Sequence, residues 1–234
     1  MARRRRPPGG PLDWIWDRGL RAAIWLARRL PYRWRVPAFG WLARRVIGAL
    51  AGLQRRAEAG LSHVWPEMPA ARRRDIAAAA VDNDGRVAIE SYSRESFHRT
   101  GRAAPVEGPG LAALAAAKEA GRPAILLTGH LGNHLALALA LDARGYEVGG
   151  LYRPMTNPYV NAHYVATLEG ISGPPFPQTA QGMRAMLRYL RGGGIVAVLN
   201  DLHVGKGVAL DFLGRPAMTS TSAAEIALRL GAAL

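Results

Sequence analysis

The chain has 234 residues and no cysteine, which excludes a disulfide framework and a thiolate metal site. Its length suits one domain with a real core, or a domain with an appendage, and excludes a coreless peptide. The formal net charge is +14, and residues 1–60 hold fourteen arginines against Asp13, Asp17 and Glu58, a net charge of +11. Such a basic front is expected to bind an anionic surface, either phospholipid headgroups or nucleic acid phosphates.

The first element is a basic, tryptophan-rich amphipathic helix over residues 12–30, closed by Pro31. A second mixed segment runs over residues 38–59. Arginine pairs at 28–29 and 44–45 interrupt the two longest apolar candidates, and no run of about eighteen uncharged apolar residues occurs. No uninterrupted apolar segment with a cleavage site follows MARRRRPPGG, so we predict neither a transmembrane helix nor a cleaved signal. Two interpretations of the helices stay open, as membrane-interface helices or as surface helices packed on their own core. Five tryptophans in this stretch favour the membrane interface (Trp14, Trp16, Trp25, Trp34 and Trp41).

The rest of the chain changes from helical to alternating character. Residues 66–98 read as one or two charged helices, followed by a loop at TGRAAPVEGPG. Short apolar strands then alternate with helices: a helix over 111–120, the strand AILLT, a helix over LALALAL, strands at 147–152 and 195–199, and helices over 180–191 and 222–233. This alternation predicts an α/β fold with a sheet flanked by helices. We predict basic amphipathic helices over 1–65, whose tryptophans favour membrane association, a helical connector over 66–105 and an α/β domain over 106–234.

The string TGHLGNHL is the most specific feature of the sequence. It places His130 directly after a buried strand, between glycines, where reactive groups of α/β sheets collect. A histidine so placed is suited to act as a general base on a hydroxyl, although a lone histidine is more often structural.

Four ordered blocks resemble one family. GHLGNHL is similar to the GHFGNWE block of the lauroyl and myristoyl transferases of lipid A, a branch of the glycerolipid acyltransferase superfamily with an H-x4-D/E signature. Three further blocks also follow the family's pattern. They are LYRPMTNPYVN, then VLNDLHVGKGVALDFLGRPAMT, and the amino-terminal pair of segments RLPYRWRVPAFGWLARRVIGAL and HVWPEMPAARRRDIA. The resemblance covers about residues 23–234 and implies a glycerolipid-acyltransferase-like central mixed sheet.

The resemblance implies an enzyme on the cytoplasmic face of the inner membrane, without a cofactor or metal. It would move a fatty acyl chain from acyl carrier protein, or from acyl-CoA, to a hydroxyl of a lipid A precursor or related lysolipid. His130 would take the hydroxyl proton and Arg153 would bind a phosphate. Substrate-binding positions on the family's pattern are Gly132, Asn133, Arg153, Asp201 and Arg215.

The sequence departs from the family's pattern in two ways. Leu135 stands where the signature has its acid, and no acidic residue occurs between His130 and Asp142. A remote acid such as Asp201 can substitute through space, and a Leu135→Glu change is expected to raise turnover if the missing carboxylate is the defect. The chain also ends inside the helix over 222–233, where the family continues, which suggests a fragment or a degenerate relative.

Three alternatives remain open at this point. The first is a catalytically impaired or silent relative that only binds lipid. The second is a metal site at His130 and His134, for which no third ligand is evident. The third is a basic nucleic-acid binder using Arg3 to Arg6 and the arginine- and tryptophan-containing segments, which we do not favour because no recognised binding motif accompanies the charge.

Overall fold

The computed structural model describes residues 9–234, so the arginine run Arg3 to Arg6 lies outside the described residues. By its contacts the chain forms two compact units. The first contains the described residues up to Ala23 together with His98–Leu202 and Ser220–Leu234, and the second contains Ile24–Phe97 and His203–Thr219.

The first unit is built on a four-stranded sheet in the order β1-β4-β2-β3. Its strands are β1 (Ala124–Thr128), β2 (Val148–Tyr152), β3 (Pro175–Pro177) and β4 (Ile195–Leu199). All neighbouring strands of this sheet run parallel, so the prediction of a mixed central sheet is wrong for the described residues. Parallel pairing follows from the helical crossovers between consecutive strands.

Helices cover both faces of this sheet, as the alternating pattern predicted. On one face, Ile125 and Val196 pack in a core that includes Met186 and Leu190 of α10 (Ala180–Arg191) and Ala223 of α11 (Ser222–Leu230). The other face packs against α7 (Gly110–Glu119) and α8 (Leu135–Asp142). The remaining helix between the strands of this sheet is α9 (Pro158–Leu168). The sheet residues alternate between these cores because successive side chains of a strand point to opposite faces.

The second unit is helical apart from one hairpin. It contains α2 (Tyr32–Leu42), a π-helical turn (Ala43–Ile47), α3 (Gly48–Leu50), α4 (Leu53–Val64) and α5 (Ala70–Ser91). The antiparallel hairpin consists of β5 (Val208–Phe212) and β6 (Arg215–Thr219). Gly85 allows α5 to approach the π-helical turn closely, because a Cβ at this position would lie 2.3 Å from the Ala43 side chain.

The predicted elements match the described structure closely where the pattern was strong. The first helix is α1 (Pro11–Arg28), the LALALAL segment is helix α8, and the helix over 180–191 has the predicted ends. Helix α6 (Arg94–Arg102) takes up the start of the predicted loop. Helix α9 and the hairpin were not predicted, because α9 lacks a clear amphipathic period and the hairpin lies in a polar, glycine-rich stretch.

No single described helix is long and apolar enough to cross a membrane. Tyr32–Leu50 and Leu53–Val64 satisfy that test only when taken together, and they are bent by 85° at their junction.

Arg35 holds the turn that follows α1. Its guanidinium donates to the carbonyl oxygens of Ala27 (3.1 Å), Arg28 (2.9 Å) and Leu30 (2.9 Å), and to Ser93 Oγ (2.9 Å). The last turn of a helix leaves its carbonyls without partners inside the helix. Ala27 also accepts the backbone N–H of Leu30 at 3.1 Å, and Leu30 itself lies beyond the end of α1. We expect Arg35→Ala to lower the free energy of unfolding by about 1.5–3 kcal/mol, as for hydrogen bonds to charged groups. Urea denaturation measures this, with the exposed Arg33→Ala as the matched control; an equal effect of both would contradict the assignment.

Candidate active site

His130 and Asp201 come together because of the strand register. Thr128 ends β1 and pairs with Leu199, which ends the neighbouring parallel strand β4. His130 and Asp201 each lie two residues beyond these partners. Parallel strands end at the same edge of a sheet, so the register places an imidazole beside a carboxylate at the edge where α/β folds bind ligands.

The carboxylate of Asp201 contacts His130 through both of its oxygens. Oδ1 lies 2.9 Å from His130 Nδ1, and Oδ2 accepts the backbone N–H of His130 at 2.7 Å. This double contact fixes both the backbone and the ring, and it leaves Nε2 as the ring nitrogen for a reacting proton. Gly129 makes the approach possible, because a Cβ there would lie 3.1 Å from Asp201 Oδ2. The remote acid that sequence reasoning left open is therefore within hydrogen-bond distance.

Asp201 is held in its ionised form. Burial raises the pKa of its carboxyl, but the hydrogen bonds from the His130 backbone and ring outweigh burial, so the pKa lies below its ordinary value. An ionised Asp201 accepts a hydrogen bond from His130 Nδ1–H. This favours the His130 tautomer in which Nε2 carries no proton and can act as a base. Both side chains are partly exposed, so a substrate can reach them.

An apolar cavity of about 250 Å³ lies beside this pair. That volume is just below the usual range for ligand pockets, roughly 300–1,000 Å³. The cavity is lined by the α8 side of the sheet, by α8 and α9, and by His130 itself; aliphatic members of the lining are Leu126, Leu135, Ala138, Val148, Leu168 and Ile171. A space of this composition suits an unbranched hydrocarbon chain better than a polar ligand.

The side chain of Leu135 belongs to this apolar lining. It starts α8, and its backbone N–H donates to Asn133 Oδ1 at 3.2 Å. The position where the family has its acid is therefore used here as part of the cavity wall, whereas the carboxylate beside His130 comes from the end of β4.

The other predicted site residues are divided between the two units. Arg153 follows β2 directly, lines the cavity and is exposed. Gly132 has φ +59°, a conformation that favours glycine, and with Asn133 it shapes the loop before α8. Arg215 lies in the second unit, where it begins β6 opposite Phe212. Within the first unit, the structure therefore places Arg153 and Asp201 at the same sheet edge as His130.

His134 is a cavity residue that sequence reasoning treated only as a metal ligand. Its ring meets the His130 ring edge-on, with centroids 5.5 Å apart. In residues 9–234, no group of three or more His, Cys, Asp or Glu residues stands close enough to hold a metal ion. Tyr164 of α9 also lines the cavity, and burial raises the pKa of its hydroxyl. The sequence signal for α9 was the pair Asn157 and Pro158, a capping residue followed by a proline at the first helical position.

The pKa of His134 predicts how stability changes with pH. Burial lowers this pKa below its ordinary value of 6.5, and the neighbouring His130 adds to the effect. The unfolded chain therefore binds a proton more readily, so stability should fall as the pH decreases below about 6.5. We expect the urea midpoint to decrease less in His134→Gln than in the unaltered chain between about pH 7.5 and about pH 5.5. Equal decreases would contradict this, and His63→Gln, at an exposed position, is the control.

Comparison with known proteins gives the family of this chain. No curated protein matches the chain. The family model described as bacterial lipid A biosynthesis acyltransferase matches residues 11–234, which include both units and every candidate site residue. The chain therefore belongs to the bacterial lipid A biosynthesis acyltransferase family and is an acyltransferase.

Proposed function

We propose that the chain transfers a fatty acyl group from acyl carrier protein, or from acyl-CoA, to a hydroxyl of a lipid A precursor or related lysolipid. The observation that carries this proposal is the His130–Asp201 pair beside an apolar cavity. The pair supplies a base, and the cavity supplies space for hydrocarbon. Family membership supports the reaction class, an acyl transfer.

His130 is the general base in the proposed reaction. Its Nε2 takes the proton of the acceptor hydroxyl while the hydroxyl oxygen attacks the thioester carbonyl. The tetrahedral intermediate then collapses, the carbon–sulfur bond breaks, and the proton passes from His130 to the leaving thiolate. Asp201 stabilises the imidazolium between these steps and keeps the ring in one tautomer.

Cationic and loop residues would orient the two substrates. Arg153 would bind a phosphate of the donor or the acceptor, because a guanidinium fork matches phosphate geometry. Its exposed position after β2 supports this role. Gly132 and Asn133 would shape the loop beside His130. Arg215, in the hairpin of the second unit, stays a predicted substrate-binding residue.

We infer that the protein works at an anionic membrane surface, on the cytoplasmic face of the inner membrane. The supporting observation is the amount of exposed tryptophan in the basic amino-terminal region: Trp14, Trp16, Trp25, Trp34 and Trp41 are each at least half exposed. Tryptophan and arginine side chains suit the boundary between headgroups and acyl chains. Salt-dependent binding to anionic vesicles, compared with duplex DNA, tests this, and tighter binding to DNA would contradict it.

The activity test uses the full chain with anionic vesicles. Acyl carrier protein and coenzyme A thioesters of one fatty acid are compared as donors, with a lipid A precursor and a lysophospholipid as acceptors. We expect ester product on the lipid A precursor, detected by mass spectrometry. Lipid binding without turnover for any pair would favour the alternative, a silent relative that only binds lipid.

Gly150 provides a test of the cavity as the acyl site. It pairs with Ala197 and lies level with Leu126, two residues below the end of β1, about 7 Å down the strands. A Cβ at Gly150 meets nothing within 4 Å, so a larger side chain fits without strain on the sheet. We expect Gly150→Leu to shift the preferred donor to shorter acyl chains, measured by competition between donors of different length. Gly60→Leu, where a Cβ also meets nothing, is the control, and an unchanged preference would contradict the assignment.

A further inference from the structure

Helix α1 is turned with a charged residue inward. Asp17 has no exposed side-chain area, whereas Leu12, Ile15 and Trp16 are 54%, 57% and 67% exposed. At 100° per residue, these three side chains all lie at least a quarter turn away from Asp17. A surface helix normally buries its apolar stripe, so this part of α1 has the reverse arrangement.

Polar contacts with α9 hold α1 in this rotation. Asp17 Oδ1 lies 3.2 Å from His163 Nε2, and the His163 side chain is only 12% exposed. Asn157 Nδ2 donates to the Asp13 carbonyl at 2.8 Å, and the Tyr159 hydroxyl donates to the Gly9 carbonyl at 3.2 Å. These residues belong to one compact unit, so α1 is attached here by polar groups rather than by its apolar face.

The charges around Asp17 make the contact specific. Asp17 Oδ2 accepts from Arg18 Nη2 at 2.5 Å and from Arg21 Nε at 2.9 Å. Burial raises the pKa of Asp17, but the hydrogen bonds and charges of Arg18 and Arg21 outweigh burial, so this pKa lies below its ordinary value. Burial, together with the charge of Arg21, lowers the pKa of His163. The arrangement is thus a neutral imidazole against a carboxylate. A rotation of α1 that buried Leu12 and Ile15 would move Asp17 away from His163. The Asp17 carboxylate would then lie on the outer surface of the helix.

The exposed face of α1 has the composition of a bilayer interface. Its apolar residues are bordered by Arg18, whose guanidinium lies 5.6 Å from the centroid of the Trp14 ring. Aliphatic side chains with tryptophan and arginine at the border suit an anionic lipid surface. The net charge of +11 over residues 1–60 complements such a surface.

We propose that Asp17 and His163 are positioning residues that fix the rotation of α1, so that Leu12, Ile15 and Trp16 enter an anionic bilayer. This inference rests on the proposed membrane association and adds the device that selects the lipid-facing side. The contact with His163 keeps the charged Asp17 side chain away from the lipid. The same contact turns the opposite face of α1, which carries Leu12, Ile15 and Trp16, toward the lipid.

Site-directed spin labelling tests the rotation directly, because the chain has no native cysteine. Single labels are placed at Ile15→Cys and Trp16→Cys on the exposed face, and at Leu20→Cys on the side nearer Asp17. On phosphatidylglycerol-containing vesicles, we expect the first two labels to collide more with oxygen than with a water-soluble nickel complex. The label at Leu20 should be shielded from both. Water-accessible labels at Ile15 and Trp16 on bound protein would overturn the inference.

The positioning pair is tested by His163→Leu, which is expected to lower vesicle affinity about tenfold and to abolish the difference between the two sides of α1. His163→Gln keeps a side-chain N–H donor and should restore both, whereas His63→Leu is the matched control. An unchanged labelling pattern in His163→Leu would overturn the pair's role while membrane association stands. Absence of vesicle binding by the unaltered chain would instead overturn the proposed membrane association. If His163→Leu fails to fold, the labelling of the unaltered chain and of His163→Gln decides the question.

Discussion

Asp201→Asn is expected to lower turnover by about 10²- to 10⁴-fold, the upper figure being the loss that follows the same change in a Ser-His-Asp triad. The amide keeps the size of the side chain but not its charge. It can present an N–H to His130 Nδ1, which selects the wrong tautomer and removes the stabilisation of the imidazolium. The measurement is the single-turnover rate with saturating donor and acceptor.

The control for this substitution is Asp75→Asn, an exposed position in α5. Its turnover should be unchanged. A loss below about threefold for Asp201→Asn, well short of the general range for acid–base catalysis, would contradict the role of this carboxylate. The KM values separate a positioning effect from lost substrate binding, because a pure binding residue raises KM and leaves kcat unchanged.

Leu135→Glu bears on the same question. The sequence alone suggests that restoring the family's acid raises turnover. With Asp201 already 2.9 Å from His130 Nδ1, and with Leu135 in the wall of the apolar cavity, we expect no gain and a weaker fit of the acyl chain. A higher turnover in Leu135→Glu would mean that Asp201 does not serve the base.

His130→Ala is expected to remove acyl transfer by about 10²- to 10⁴-fold, because it deletes the group that moves the proton. The double variant His130→Ala with Asp201→Asn should be no slower than His130→Ala alone. Residues that act as one unit show such non-additive losses, since Asp201 acts only through the imidazole. Turnover of each variant is measured at the same enzyme concentration, with His63→Ala as the control.

Two outcomes would contradict this pair of roles. Activity that survives His130→Ala would remove the base from the mechanism. Additive losses in the double variant would give Asp201 an independent function, for example a direct contact with substrate. Vesicle binding by each variant serves as a check that membrane association is unaffected.

Much of the fold was readable from local patterns. The strands at 124–128 and 195–199 are short apolar runs, the helix over 180–191 has a strong amphipathic period, and the structure confirms all three. Their alternation predicts an α/β sheet, although it does not give the strand order. Helix α9 was missed because its proline, asparagine and tyrosine residues weaken the apolar period, while Asn157 in fact caps it by accepting the N–H groups of Tyr159 and Val160.

The sequence by itself indicated the family and singled out His130 as the candidate base, because the family's motifs and the glycines that flank His130 are each contiguous along the chain. Only the tertiary structure showed which carboxylate lies beside His130. Asp201 lies 71 residues from His130, and no local spacing links them. The parallel register of β1 and β4 brings them together, since Thr128 and Leu199 are partners. The same holds for Asp17 and His163. Amphipathicity indicates that α1 has an apolar and a polar face, but only the packing shows that the protein buries Asp17 and leaves Leu12, Ile15 and Trp16 exposed.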